Sequence, residues 1–424
     1  HLLQAAGHQP VDSAGEAELI LLNTCAIRES AETRIWGRLG QFKPFRDRGS
    51  CRILGVCGCM AQNHAEHIFE RAPQVNLVLG SAALESLPEL IARLQSGRDS
   101  RCMNTELEAE TFFRNREQPG GHADGNIHYP VFVSVMRGCD NRCTYCIVPY
   151  VRGREVYRPA EDIYSEVRAL VEQGYVEVTL IGQTVNSYRF DGMDFADLLL
   201  EVERIPGLER VRFATSHPKD FTPRLIEAIA QGEKICEHVH LPAQSGSNRI
   251  LRRMGRRYTV EQYVSICDSL REKVPGMSIT TDLIAGFPGE TEEDFQGTLD
   301  LMRRVGWEGG FLFKYSPRQG TPAARMTDTV PPDVAQERFE RLLDLQLEVA
   351  GRANEKLVGS MVEILLEEVP HIDEAGCVQG ECKGRTRSNR MVIADPGDLE
   401  AGVSSLRVGD QITVRIHQAR AYSL

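Results

Sequence analysis

The chain has 424 residues, 42% hydrophobic and 26% charged, enough for roughly two to four domains with sizeable cores. Its net charge of −11 excludes a uniformly basic coat for nucleic acid but not local basic patches. No apolar run reaches the length of a membrane span, and no secretory signal is visible in a chain that starts at His1. The twelve cysteines are unevenly spaced, unlike the disulfide framework of a small secreted domain. A reduced compartment, with some cysteines on metal, is the better expectation.

Residues 1–116 alternate helical and strand patterns. The chain opens in a helical stretch, HLLQAAGHQP. ELILLNTCAI is an apolar run that reaches Cys25, as a buried parallel strand would. A helical stretch from Arg28 to Phe45 follows, then strands in RILGVCGCMA and NLVLG. The expectation is α/β, an N-terminal doubly wound domain whose first strand is absent from this chain. Residues 117–128 are Gly-rich and polar and read as a linker.

Residues 129–352 hold a longer βα series. Its strand candidates are VFVSVM, EVTLIG, RVRFAT, HVHLPA, SITTDLIAGF and GGFLFKY, separated by helical patterns such as AEDIYSEVRALVEQG. Six parallel strands predict a partial (β/α)6 barrel, with chemistry at the C-terminal strand ends. The helical DVAQERFERLLDLQLEVAGRANEKL closes it. Residues 353–424 turn strand-like in SMVEILLEEV, NRMVIAD and QITVRIHQARAYSL, which predicts a small all-β barrel of OB-like kind.

The sharpest feature is RGCDNRCTYCIVP, with Cys139, Cys143 and Cys146 spaced C-x3-C-x2-C just after the first strand of the βα series. A zinc ribbon needs two C-x2-C pairs or nearby histidines. A 4Fe-4S cube takes one thiolate per iron, so three cysteines leave one iron open to a small molecule. The bland alternatives are a structural zinc site with a distant fourth ligand, such as Cys236 or a histidine, and three core cysteines. The polar Asp140, Asn141 and Arg142 speak against the second.

With Tyr145 before the last cysteine, the motif resembles the radical S-adenosylmethionine (SAM) superfamily. RGCDNRCTYCIVPYVRGRE, LIGQTVNSY, HLPAQSGSNRILRRMGRRYT, DLIAGFPGETEEDF and YSPRQGTPA together resemble its methylthiotransferases. The nearest branch makes 2-methylthio-N6-dimethylallyladenosine beside the tRNA anticodon. GQTVNSY favours that branch over the one acting on a ribosomal-protein aspartate. The resemblance extends to the C-terminal segment, which is similar to a TRAM domain.

The resemblance implies two 4Fe-4S clusters. One, on Cys139, Cys143 and Cys146, binds SAM and cleaves it to a radical that abstracts hydrogen from C2 of adenine. The other, auxiliary cluster supplies sulfur, and a further SAM supplies the methyl group. Cys25 and Cys59 match two of the three auxiliary ligands; the first has no counterpart here. Cys57 rivals Cys59, because the two share a face of a strand and spacing alone does not choose between them. The family pattern favours Cys59. Cys51, Cys102, Cys236, Cys267, Cys377 and Cys382 fit no ligand pattern and read as small buried or surface residues.

For SAM the family motifs point to Tyr145, Gln183, Ser216, Gln244, Gly286 and Gly289. The glycines would let a ligand approach the backbone. His217, His238 and His240 read as hydrogen-bonded barrel-mouth residues rather than ligands. Basic stretches offer phosphate contacts. Arg152, Arg154, Lys383, Arg385 and Arg387 are assigned to RNA, while the arginines of SNRILRRMGRR are divided evenly between RNA and other roles.

The implied partners are a tRNA anticodon stem-loop and a flavodoxin- or ferredoxin-like electron donor, for a cytoplasmic monomer. The rival readings are the same chemistry on threonylcarbamoyladenosine or a ribosomal protein, and a non-catalytic RNA-binding metal protein.

Overall fold

The computed structural model describes residues 2–26, 29–107, 126–372, 378–395 and 406–424. Most of the linker expected at 117–128, and Cys377, lie outside them. The chain forms two compact units. The first comprises His1–Glu117, Arg137–Val156 and Arg318–Thr321; the second comprises Gln118–Met136, Tyr157–Pro317 and Pro322–Leu424. The three-cysteine loop therefore clusters with the N-terminal residues.

In the first unit, strands β1 (Leu19–Thr24), β2 (Ile53–Gly58), β3 (Leu77–Leu79) and β4 (Cys102–Asn104) form one parallel sheet in that order. Alternate residues serve opposite faces. Ile20, Leu54, Val56 and Val78 pack with Leu39 of α2 (Glu29–Asp47) and with Ile68 of α4 (Glu66–Arg71). Ile53, Cys57, Leu77 and Leu79 pack with Leu87, Leu90 and Ile91 of α5 (Leu87–Gln95), and Leu3 of α1 (Leu2–Ala5) joins that cluster. Burial on both faces is why these strands read as continuous apolar runs.

One boundary differs from the sequence expectation. RILGVCGCMA is not a single strand: β2 ends at Gly58, and Cys59 opens α3 (Cys59–His64). Gly58 has φ 94°, and a Cβ on it would lie 2.5 Å from the Thr24 carbonyl oxygen. The chain turns there because glycine allows it.

The second unit carries the βα series. Strands β5 (Phe132–Ser134), β6 (Glu177–Ile181) and β7 (Arg210–Phe213) form one parallel sheet; β8 (His238–His240), β9 (Ser278–Ala285) and β10 (Gly309–Lys314) form another. A bridge between Val211 and Ile235 and a hydrogen bond from Cys236 N to Val211 O (2.9 Å) join them. The strands thus follow chain order, as in a βα barrel. Val178, Leu180, Val211, Val239, Ile279 and Leu283 share one core with Val167, Leu170, Leu199, Phe295 and Met302 of the intervening helices.

After the helix Pro332–Glu355, a four-stranded antiparallel sheet follows, in the order Met391–Ala394, Cys382–Thr386, Met361–Glu368, Gln411–Arg415. The strand Cys382–Thr386 is one that sequence reading missed, having taken its basic residues for RNA contacts. Within QITVRIHQARAYSL only Gln411–Arg415 is strand. The turn after Thr386 docks on the N-terminal ends of the barrel strands. Arg210 donates to Arg385 O at 3.0 Å, and Arg212 donates to Thr386 O at 2.8 Å and Arg387 O at 2.9 Å.

Candidate iron–sulfur and SAM sites

The loop of Cys139, Cys143 and Cys146 is closed by its own return. Gly138 has φ 80°, and a Cβ there would sit 1.9 Å from the carbonyl oxygen of Arg154. Cys139 N donates to Gly153 O at 3.1 Å, and Cys146 N donates to Cys143 O at 3.1 Å, a tight turn between two of the cysteines. Asn141 Nδ2 donates to Cys139 Sγ at 3.4 Å. Arg154 pairs with Asp140 at 3.5 Å. Tyr145 is half-buried, like Cys139 and Cys146.

No disulfide joins the eleven described cysteines to one another. Among the described residues, no three His, Cys, Asp or Glu side chains gather as one shared metal ion would require. A 4Fe-4S cube asks for something else, one thiolate on each of three irons. Three thiols on one small polar loop fit that group by their donor chemistry.

The second cysteine set is placed by sheet register. Thr24 pairs with Gly58 across β1 and β2, so Cys25 and Cys59 leave two adjacent parallel strands at the same level, at their C-terminal ends. Open α/β sheets bind ligands at such ends. Thr24 fastens the pair: its Oγ1 donates to Cys57 O at 2.6 Å and accepts from Met60 N at 3.2 Å.

Cys57 is a different kind of residue. Its Sγ donates to Leu22 O at 3.5 Å, and burial pushes its thiol up to about 11. It is a protonated core thiol, so the structure separates it from Cys59. Burial likewise raises the thiols of Cys51, Cys102, Cys382, Cys236 (to about 11) and Cys267 (to about 12).

Two arginines at this site were not foreseen as its neighbours. Arg152 Nε donates to Cys59 Sγ at 3.3 Å. It ends the short helix α6 (Val148–Arg152), whose Val151 O accepts from Ser81 Oγ at 2.6 Å. Cys59, Ala26, Ile147 and Val151 form a small buried cluster, and Ile147 directly follows Cys146. Arg137, 3% exposed, is pushed down to about 10, mainly by burial and also by the like charge of Arg152; a Cys59 thiolate opposes the shift. RGCDNRC advertises Arg137 only as a neighbour of Cys139. Its nearness to Cys59 is a property of the fold.

In the second unit, the residues expected to hold SAM follow strand ends. Ser216 is 4% exposed, and its Oγ has no hydrogen-bond partner among the described residues, an orphaned polar group that a ligand would satisfy. Gln244 is buried with φ 66° and sits beside β9 through a bridge to Leu283. Gln183 N donates to the Met136 sulfur at 3.2 Å.

Gly286 and Gly289 have another reason to be glycine. A Cβ on Gly286 would lie 2.6 Å from Ala335 Cβ, and one on Gly289 would lie 2.5 Å from Asp328 Oδ2. The protein itself fills the space that a Cβ would take at each. His217, His238 and His240 are hydrogen-bonded: Lys219 N donates to His217 Nδ1, and His238 and His240 meet Thr280 Oγ1 at 3.1 and 3.0 Å. Burial pushes His217 down to about 2 and holds it neutral.

The cations expected at RNA are largely committed elsewhere. Arg387 pairs with Glu237 at 2.7 Å and donates to Ile235 O at 2.8 Å; Arg385 pairs with Glu367 at 2.9 Å. With Arg152 on Cys59, three of the five assignments meet internal partners instead. Lys383 pairs with Glu368 at 3.0 Å near the surface, and Arg154 is 89% exposed. In SNRILRRMGRR, Arg249 pairs with Asp294, Arg253 with Asp328, and the buried Arg256 donates to Pro242 O.

Comparison with known proteins places the chain. The model of the radical SAM superfamily matches residues 133–302, and that of an uncharacterized protein family, UPF0004, matches residues 1–80. A tRNA-2-methylthio-N(6)-dimethylallyladenosine synthase of Moorella thermoacetica is 45% identical, across 100% of this chain and 92% of the relative. One from Acetivibrio thermocellus is 43% identical across 100% and 85%.

Among solved structures, the radical SAM methyltransferase TsrM of Kitasatospora setae superposes with a TM-score of 0.59 at 16% identity, covering 76% of this chain and 65% of that one. The cobalamin-dependent radical enzyme OxsB gives 0.51 at 14%, covering 79% and 48%. The chain thus spans under two thirds of either solved chain, and these two likenesses speak to a mixed α/β radical SAM fold alone. Full-length identity above 40% to the synthases goes further: the chain belongs to the tRNA-2-methylthio-N(6)-dimethylallyladenosine synthase family of radical SAM enzymes.

Proposed function

We propose that this protein inserts sulfur and a methyl group at C2 of N6-dimethylallyladenosine beside the anticodon of tRNA. Cys139, Cys143 and Cys146 would hold a 4Fe-4S cluster with one open iron, and Cys25 and Cys59 would hold an auxiliary cluster together with a ligand supplied elsewhere. When bound, the first cluster supplies the electron that splits SAM into methionine and a 5′-deoxyadenosyl radical, chemistry that no side chain performs; the auxiliary cluster supplies sulfur.

The protein's own part is binding and placement. Gly138 lets the loop that carries the three cysteines close on Arg154. The buried Ser216 hydroxyl, Gln244 and Gln183 are proposed to meet SAM, and the family motif assigns Tyr145 to its adenine. Gly286 and Gly289 would shape the loop rather than touch the ligand. Arg154 and Lys383 are proposed to meet tRNA phosphates. The C-terminal antiparallel sheet is proposed to be a TRAM domain, a β platform of the kind that receives single strands. A flavodoxin- or ferredoxin-like donor would supply electrons, in the cytoplasm.

The observation that supports this reading most is the register of the N-terminal sheet. It sets Cys25 and Cys59 level at adjacent strand ends, in the same compact unit as the three-cysteine loop. The test is anaerobic reconstitution with SAM, reductant and tRNA bearing dimethylallyladenosine. Mass spectrometry of the digested tRNA should show a methylthio group on that nucleoside. Modification of threonylcarbamoyladenosine instead would move the substrate, and loss of 5′-deoxyadenosine formation would remove the radical reading.

A further inference from the structure

We propose that Arg152 is a positioning residue of the N-terminal cysteine site, donating a hydrogen bond to Cys59 and supplying positive charge to the sulfur ligands of a cluster bound there. The inference rests on the reading that Cys25 and Cys59 carry the auxiliary cluster, and it assigns a role to a residue that sequence alone places at the RNA.

Two observations carry it. Arg152 Nε lies 3.3 Å from Cys59 Sγ, a donor aimed at the sulfur. The helix that bears it is fixed against the cysteine: Ile147 and Val151 pack on Cys59 and Ala26, and Ser81 holds the Val151 carbonyl.

A guanidinium held against a buried sulfur calls for an anion there. A thiolate-ligated iron–sulfur cluster is such an anion, and hydrogen bonds to its sulfurs stabilise the reduced, more negative state, raising its reduction potential. Groups that hold a metal ligand in place typically change metal affinity about 10–100-fold when removed. A tRNA phosphate would also suit a cation, but a guanidinium directed at a buried sulfur is poorly placed to leave it.

Residue 152 also links the two cysteine sets along the chain. Arg152 follows Cys146 by six positions and meets Cys59 across 93. The segment that ends the radical loop therefore also supplies the second site with its donor.

The test uses the full-length protein with Cys139, Cys143 and Cys146 all changed to Ala, so that only the auxiliary site binds iron. In that background Arg152→Gln and Arg152→Lys are compared with the parent for midpoint potential, for iron retained against a chelator, and for tRNA affinity. Arg152→Gln should shift the potential to more negative values and release iron about tenfold more readily. Arg152→Lys, which keeps the charge and a donor, should restore most of both.

Unchanged potential and retention in the Gln variant would overturn the inference, and more so if tRNA affinity fell instead. Equal iron loss in both variants with no shift in potential would mark a packing role and overturn it too. A parent that held no iron would remove the auxiliary-cluster reading and this inference together, an outcome distinct from the other two.

Discussion

Cys57 and Cys59 show what one residue's surroundings decide. Both are buried in the same strand-to-helix turn, yet one donates its thiol proton to a backbone carbonyl and the other faces a guanidinium. Cys57→Ala should therefore leave iron content unchanged and cost about 1 kcal/mol of stability as a small core truncation; loss of iron in that variant would reverse the assignment. Gly138 is the opposite case, a position that tolerates no side chain. Gly138→Ala needs a left-handed φ and puts a methyl group 1.9 Å from a carbonyl oxygen, so iron bound at the three-cysteine loop should fall severalfold. The cysteine positions were legible because their spacing is local. The arginines around Cys59 were not, because Arg152 reaches it only after 93 residues of chain have folded back.

At the scale of elements, apolar runs announced the parallel strands well, since strands covered on both faces have no polar alternation to obscure them. Two elements were misread for physical reasons. The strand Cys382–Thr386 carries lysine and arginine side chains whose charges are met by Glu368 and Glu367, so its surface-like composition hid a central strand. The turn at Gly58 was hidden because cysteines two apart mimic a strand face.

The cap of the helix Glu292–Val305 gives a pH prediction. Thr291 and Asp294 form a capping box, and Ser247 and Arg249 also donate to Asp294. Burial alone would raise this carboxyl, but those hydrogen bonds outweigh it and hold Asp294 well below the usual carboxylate range. A depressed folded pKa contributes stability that is present above the unfolded value and lost as pH falls through the folded one. Urea unfolding should thus find Asp294→Asn about 1 kcal/mol less stable at neutral pH. The deficit should shrink progressively below about pH 5. A deficit independent of pH would contradict this.

For the whole molecule, the basic turn after Thr386 matters most as a dock. Arg387 ties the antiparallel sheet to Glu237, and Arg210 and Arg212 donate to its carbonyls from the N-terminal end of a barrel strand, opposite the ends where βα barrels place their chemistry. Arg387→Ala should lower stability by about 1–2 kcal/mol, a part-exposed pair being worth less than a fully buried one. It should change low-salt tRNA affinity less than Arg154→Ala does. The reverse ranking, measured by thermal melting and titration over a salt series, would return Arg387 to the RNA surface.

The two cysteine sets are proposed to do different chemistry within one reaction. The direct measurement follows 5′-deoxyadenosine and methylthiolated tRNA in the same anaerobic assay of Cys143→Ala and Cys59→Ala. Cys143→Ala should abolish both products; Cys59→Ala should keep forming 5′-deoxyadenosine while the tRNA gains no methylthio group. Normal methylthiolation by Cys59→Ala, or SAM cleavage by Cys143→Ala, would contradict it.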